Sequence, residues 1–232
     1  MNTSPIAAMF DRISPKYDAL NHLLSFNIDK VWRQKTAKAV AKSQPKVILD
    51  LATGTADLAI ALAKHNPLAH IIGMDLSEKM LEIGKDKVTK RKLDNQIELQ
   101  VGDAAALPFE DNSFDAVTVA FGVRNFEDLD KGLSEIQRVL KPMGQAFILE
   151  FSMPEKFPVK QVYRLYFKYI LPKIGKWVSK DAHAYSYLPE SVDRFPDPSV
   201  FLGTLSNNGL IKGAARRLGW GIATLYWATK GR

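Results

Sequence analysis

Val47-Ile48-Leu49-Asp50-Leu51-Ala52 and the six residues after it, Thr53-Gly54-Thr55-Ala56-Asp57-Leu58, decide the fold of this 232-residue chain. The first six are a short, largely apolar run of the kind that fills a fully buried strand. The next are small and reach an acidic residue at a helix start, so a strand passes through a tight turn into a helix. Outward from this unit the texture repeats. Residues 57–64 read as a helix, 70–76 as a strand, and Ser77 as the N-cap of a helix running to Lys92. Residues 96–101 and 115–121 read as strands; Leu129, Leu133, Ile136 and Leu140 mark one helix face, which Lys141-Pro142-Met143-Gly144 ends before a fifth strand over 145–151. This alternation predicts an α/β fold, a mostly parallel central sheet with helices on both faces. Residues 198–207 read as a last helix, and strand-like runs around Gly219-Trp220-Gly221 as a closing β-hairpin. Residues 1–45 form a helical lead-in, expected to lie outside the core, with Ile13, Tyr17, Leu20 and Leu24 in one stretch and Val31, Trp32 and Ala39 in a second. The whole of 1–232 is expected to be one domain, with 153–195 inserted before the last helix and hairpin.

In an open parallel sheet the ligand lies beyond the carboxyl ends of the strands. Gly54 follows strand one, and Asp75, which ends strand two, stands 21 positions later. That separation suits a carboxylate that accepts hydrogen bonds from a ribose diol. Gly102-Asp103-Ala104 follows strand three and Phe121-Gly122-Val123-Arg124-Asn125 follows strand four. Together these point to a nucleoside-bearing ligand. The turn lacks the two later glycines of the dinucleotide G-x-G-x-x-G pattern, which argues against a nicotinamide-dependent reductase.

Composition narrows the chemistry. There is no cysteine, and His22, His65, His70 and His183 show no zinc-motif spacing, so thiol and metal chemistry are not expected. No run approaches the length of a membrane span and no apolar leader is seen, so a soluble, cytoplasmic chain is the expectation. The net charge of +7 sits in one window: residues 156–180 hold seven basic residues and no acid, leaving 25 of each sign elsewhere. An RNA-binding protein would explain that window but not the acidic strand ends, so nucleic acid is not an expected partner.

The turn over residues 50–58 resembles the S-adenosylmethionine (SAM) turn of Rossmann-like class I methyltransferases. Asp11-Arg12-Ile13-Ser14-Pro15-Lys16-Tyr17-Asp18 with Asn21 and Trp32-Arg33, Gly102-Asp103-Ala104 with Leu107-Pro108-Phe109, Phe121-Gly122-Val123-Arg124-Asn125, and Tyr187-Leu188-Pro189-Glu190-Ser191 are similar to the quinone C-methyltransferases. That family contains the demethylmenaquinone enzyme and its ubiquinone-pathway counterpart, and the likeness covers nearly the whole chain. The resemblance implies SAM as cofactor, with Gly54 and Thr55 at its methionine end, Asp75 on the ribose hydroxyls, and Asp103 with Ala104 beside the adenine. It implies C-methylation of a reduced isoprenoid quinone precursor, demethylmenaquinol in preference to the benzoquinol of the ubiquinone pathway. The chain departs from the family where the last glycine of the turn is Ala56, where the second glycine after Lys-Pro is Met143, and where a serine after strand four is Ala120. A methyl at 56 is expected to narrow the approach of the cofactor to the backbone.

A quinol ring carbon becomes nucleophilic when its neighbouring hydroxyl loses a proton. Arg124 and Asn125 are the candidates to hold that oxyanion, the alternative for Arg124 being a surface ion pair with Glu127 or Asp128. His22, Tyr17 and Asp18 are candidates to accept the proton or cap the substrate. A helix through the basic window would place Lys160, Arg164 and Lys168 on one face and Val162, Tyr166, Tyr169 and Ile170 on another, with Lys173, Lys176 and Trp177 beyond Pro172. Such a segment suits peripheral contact with anionic lipid on the inner face of a membrane.

Overall fold

The computed structural model describes residues 5–166, 169 and 182–231; Lys168, Ile170, Pro172, Lys173, Lys176, Trp177 and Lys180 of the basic window fall outside them. Seven strands form one sheet in the order β3-β2-β1-β4-β5-β7-β6. β1 (Val47–Leu51), β2 (His70–Asp75), β3 (Ile97–Val101), β4 (Phe114–Ala120) and β5 (Leu140–Phe151) run parallel, and β7 (Ala223–Lys230) lies antiparallel between β5 and β6 (Leu210–Leu218). The order reverses at β1, which puts a crevice beyond the ends of β1 and β4, where such sheets bind ligands.

The central strands β1 and β4 are buried on both sides because both faces of the sheet are covered there, whereas the edge strands β3 and β6 are partly exposed. On one face Leu49, Leu51, Val117 and Ile148 pack with α5 (Leu129–Val139) and α8 (Pro198–Asn207). On the other, Ile48, Ile71, Ala116 and Phe147 pack with α2 (Ile28–Val40) and α3 (Asp57–His65). α4 (Glu78–Lys90) begins as expected, with the Ser77 hydroxyl accepting from the Met80 N–H. α6 (Val159–Leu165) and α7 (Ala182–Arg194) come from the segment between β5 and α8.

Three expectations change. The lead-in is not outside the core: α1 (Pro5–Leu24) and α2 are separate helices, broken where Phe26 and Asn27 take φ of 51° and 60°. Ala37 and Val40 of α2 are wholly buried against the sheet, and Trp32 is 3% exposed. The fifth strand starts at Leu140, which pairs with Phe114; the register then breaks until Gln145 pairs with Ala116. Lys141-Pro142-Met143-Gly144 is thus a bulge inside a strand and not a stop before one. Finally, the methyl of Ala56 does not narrow the ligand site. Ala56 has φ 63° and is fully buried, and its Cβ faces Gly84, where an added Cβ would come within 3.3 Å of it. The glycine on α4 makes the room that the alanine takes.

Met143 also sits in the left-handed region, at φ 65°, half exposed. A side chain costs about 1–2 kcal/mol there. Met143→Gly should therefore stabilise the protein by about 1 kcal/mol and raise Tm by about 2–4 °C in a melting experiment. An unchanged or lower Tm would show that the methionine's contacts offset the strain.

Candidate active site

Beyond the ends of β1 to β4 lies a cavity of 740 Å³ lined by Gly54, Asp75, Asp103, Ala104 and Asn125 from the strand ends and by Phe10 and Tyr17 from α1. Four of the five residues expected to hold the cofactor are here. Asp75 is set before any ligand arrives, because one carboxylate oxygen accepts the Gly54 N–H at 2.8 Å and the other the Ser77 N–H at 2.9 Å. Burial pushes its pKa up and these N–H bonds pull it back. Each oxygen keeps a lone pair for a ribose hydroxyl. Asp103 is fixed by the Ala105 N–H, 2.8 Å away. The turn itself winds through φ of 51° at Ala52, 55° at Gly54 and 63° at Ala56. Gly122 is required beside it, since a Cβ there would come within 2.4 Å of the Ala52 methyl. Below, Asp50 accepts from the Thr53 and Thr118 hydroxyls at 2.6 and 2.5 Å, and burial lifts its pKa to about 6.

Thr55, the fifth expected cofactor residue, is placed elsewhere. It is 3% exposed and does not line the cavity; its hydroxyl donates to Asp18 at 2.6 Å and accepts from Lys87 at 3.0 Å. Lys87 also bonds Asp18 at 2.8 Å and Asp57. Asp18, His22 and Asp57 bring ligand-type atoms within 4.8 Å of one another, but the Lys87 ammonium supplies the positive charge among them. Asp18 is therefore a latch that ties α1 to the turn, not a proton acceptor. His22 lines neither cavity: its Nδ1 is 2.9 Å from Asp29 and its Nε2 3.6 Å from Asp57. It is a strut between two carboxylates.

A second cavity of 400 Å³ adjoins the first and is mostly apolar. Phe10, Tyr17 and Phe121 line both, so they form the wall through which the two communicate. Burial pushes the Tyr17 phenol up, opposed by the charges of Arg33 and Arg124, so at neutral pH it is a hydrogen-bond donor and not a base. Arg124 faces the second cavity, yet its ion-pair partner is neither Glu127 nor Asp128. Its Nη1 donates to Glu150 at 2.7 Å, its Nε to Ser191 at 3.3 Å, and Glu150 is fully buried. Burial raises the Glu150 pKa and Arg124 offsets this. Asn125 lines the first cavity and accepts from the Tyr187 hydroxyl at 2.9 Å. Tyr187 and Ser191 on α7 thus fix the loop after β4, a role that their sequence pattern did not disclose. Also missed were Asp29 and Arg33, a charged pair on the cavity-facing side of α2. Their i, i+4 spacing around Trp32 was the available signal.

Comparison with known proteins agrees with this geometry. Residues 1–230 match the model of the ubiE/COQ5 methyltransferase family. The demethylmenaquinone methyltransferase of Bacteroides fragilis is 48% identical over 97% of this chain and 92% of its own length. The ubiquinone/menaquinone biosynthesis C-methyltransferase UbiE of Geobacter sulfurreducens is 44% identical over 97% of this chain and 88% of its own. Among solved structures, a SAM-dependent methyltransferase of Thermotoga maritima, described as a possible histamine N-methyltransferase, superposes with a TM-score of 0.65 at 17% identity, covering 96% of this chain and 99% of that one.

Asp75→Ala should leave a folded protein that binds SAM about 10–150-fold more weakly, the loss of charge-assisted bonds of about 1.5–3 kcal/mol. Unaltered calorimetric titration would remove Asp75 from the site. Arg124→Ala should cost about 3–5 kcal/mol in urea unfolding, because it strands Glu150, and adding Glu150→Gln should recover most of that. A double variant as unstable as the single one would contradict the pairing.

Proposed function

Because the chain belongs to the ubiE/COQ5 methyltransferase family, we propose that it methylates a ring carbon of a reduced isoprenoid quinone precursor, demethylmenaquinol, using SAM. The observation that carries this is the pair of unlike cavities, one with carboxylates at the strand ends and one apolar, meeting at Tyr17 and Phe121. SAM supplies an electrophilic methyl group on a sulfonium. Asp75 and Asp103 suit the ribose and adenine, with backbone and small residues between them. The apolar walls keep water from the acceptor, and such positioning is worth about 7–11 kcal/mol. Arg124, with part of its guanidinium spent on Glu150, presents the remainder to a quinol oxygen and favours its ionised form, the hydroxyl proton passing to bulk solvent as the acceptor is taken up. Tyr17 lines both cavities at the point where they meet.

Among the described residues no helix is long and apolar enough to cross a membrane. We read the protein as cytoplasmic and in peripheral contact with the bilayer that holds its substrate. Phe26 and Trp220 line the apolar cavity and are 75% and 82% exposed, so they mark its mouth; Phe157 is 81% exposed beside Lys156. Lys156 and Arg164 are exposed and Lys160 partly so. Aromatic rings at headgroup level and cations on anionic lipid fit this rim. Val162 of α6 and Tyr166 just after it line the cavity, so this side covers substrate while the cations remain for lipid.

A relative that carries both pathway names keeps a benzoquinol in play as acceptor. With SAM and each reduced quinol in turn, the naphthoquinol should gain one methyl on carbon, while the oxidised quinone stays inert. An O-methyl ether in the NMR spectrum of the product would refute C-methylation, and turnover of the benzoquinol alone would reverse the choice of acceptor. The protein should also sediment with anionic liposomes at low salt and be released as the Debye length falls from about 10 Å at 0.1 M to about 3 Å at 1 M. Sedimentation unchanged when Lys156, Lys160 and Arg164 are all made Gln would refute the membrane contact.

A further inference from the structure

Arg33 lines the apolar cavity with a charge that the contacts described above do not use. Its side chain is 10% exposed, and among the described residues its hydrogen-bonded partner is Asp29, reached through Nη1. No second hydrogen-bond partner is seen for the guanidinium among the described residues, so its remaining N–H groups are open to an acceptor that enters the mostly apolar cavity. Asp29 does not absorb the whole charge, because its carboxylate also accepts from Ser25 at 2.6 Å and approaches His22 at 2.9 Å.

The position of Arg33 repeats that of Arg124. The Arg33 guanidinium carbon lies 5.2 Å from the Phe121 ring centroid and that of Arg124 5.4 Å from the Phe151 centroid, while the two rings stack at 4.4 Å. Both charges act on the Tyr17 phenol, in the wall next to the first cavity. Arg33 also acts on Asp50 from β1, Asp57 from α3 and Asp29 on its own helix. Of these, Asp57 is held by Lys87. A reduced quinone carries two ring oxygens on opposite sides of its ring, and one arginine cannot attend to both.

We propose that Arg33 binds the second ring oxygen of the acceptor, so that Arg33 and Arg124 each hold one, and that Arg33 lowers the pKa of the quinol hydroxyl it meets. This rests on reading the apolar cavity as the acceptor site. A planar, permanently charged fork suits the task, since it donates to an oxygen while still bonded to Asp29.

The test is the pH profile of kcat, which reports ionisations in the loaded enzyme. The acceptor is a reduced, ring-unmethylated naphthoquinol with a short isoprenoid tail, and SAM affinity is measured by calorimetry in parallel. Arg33→Gln should bind SAM as wild type does and move the rising limb to higher pH by about one unit, because a nearby cation favours the ionised oxygen. Arg33→Lys should hold the limb near its wild-type position. A purely structural arginine would lower kcat without moving the limb, so an unmoved limb in Arg33→Gln overturns the proposal whatever happens to the rate. Should Arg33→Gln lose SAM binding through misfolding, Asp29→Asn decides. Freeing the guanidinium from its carboxylate should move the limb to lower pH, and an unmoved limb again overturns the proposal. Wild-type protein inert toward quinols would overturn the reading of the cavity itself, a result distinct from an active wild type with an unmoved limb.

Discussion

The ammonium of Lys87 holds the site together. It reaches from α4 to Asp18 on α1, Asp57 at the start of α3 and Thr55 in the turn after β1, with its side chain 17% exposed. Without it Asp18 and Asp57 would face each other with His22 alone between them. With it, α1 is fastened across the strand ends, and Asp11 adds a second tie, accepting from the Ser77 hydroxyl at 2.5 Å. Both cavities depend on this fastening, because Phe10 and Tyr17 of α1 supply their shared wall. A network this shielded costs desolvation, and its return is specificity of placement more than net stability.

The same logic governs the far side of the wall. Phe121 takes φ 59° as the chain leaves β4, which turns its ring toward Phe151 and Trp32 and leaves Arg124 to fold back on Glu150. Non-glycine residues in this conformation are costly and collect at functional sites. Here the loop is secured by α7 through Tyr187 and Ser191, so the described helices α6 and α7 border the apolar cavity while α7 also holds the loop after β4.

The sheet was legible because β1, β2 and β4 are short, mostly apolar runs that end at or beside a small or acidic residue, and that pattern depends on neighbours in sequence. Asp75 was legible for the same reason, as its distance from Gly54 is set by one strand-helix-strand unit. What escaped depends on contacts between distant segments. Thr55 looks like a ligand residue until Asp18, 37 positions away, claims its hydroxyl. Glu150 reads as one more strand residue until Arg124 reaches it, and His22 looks available until two aspartates flank it. The bulge before Gln145 was read as a terminator because Pro and Gly end helices far more often than they interrupt strands. Ala56 shows the limit from the other direction, since the room for its methyl is made by Gly84 on another helix.

On the proposed reading, the cofactor and its methyl acceptor meet at Tyr17 and Phe121, which line both cavities. A crystal structure with S-adenosylhomocysteine and a short-tailed naphthoquinol bound together tests it most directly. The ribose should lie on Asp75, the quinol ring against Phe121 with Arg124 at an oxygen, and the tail should leave past Phe26 and Trp220. A quinol ring bound away from Tyr17 and Phe121, or a nucleoside in the apolar cavity, would contradict this reading.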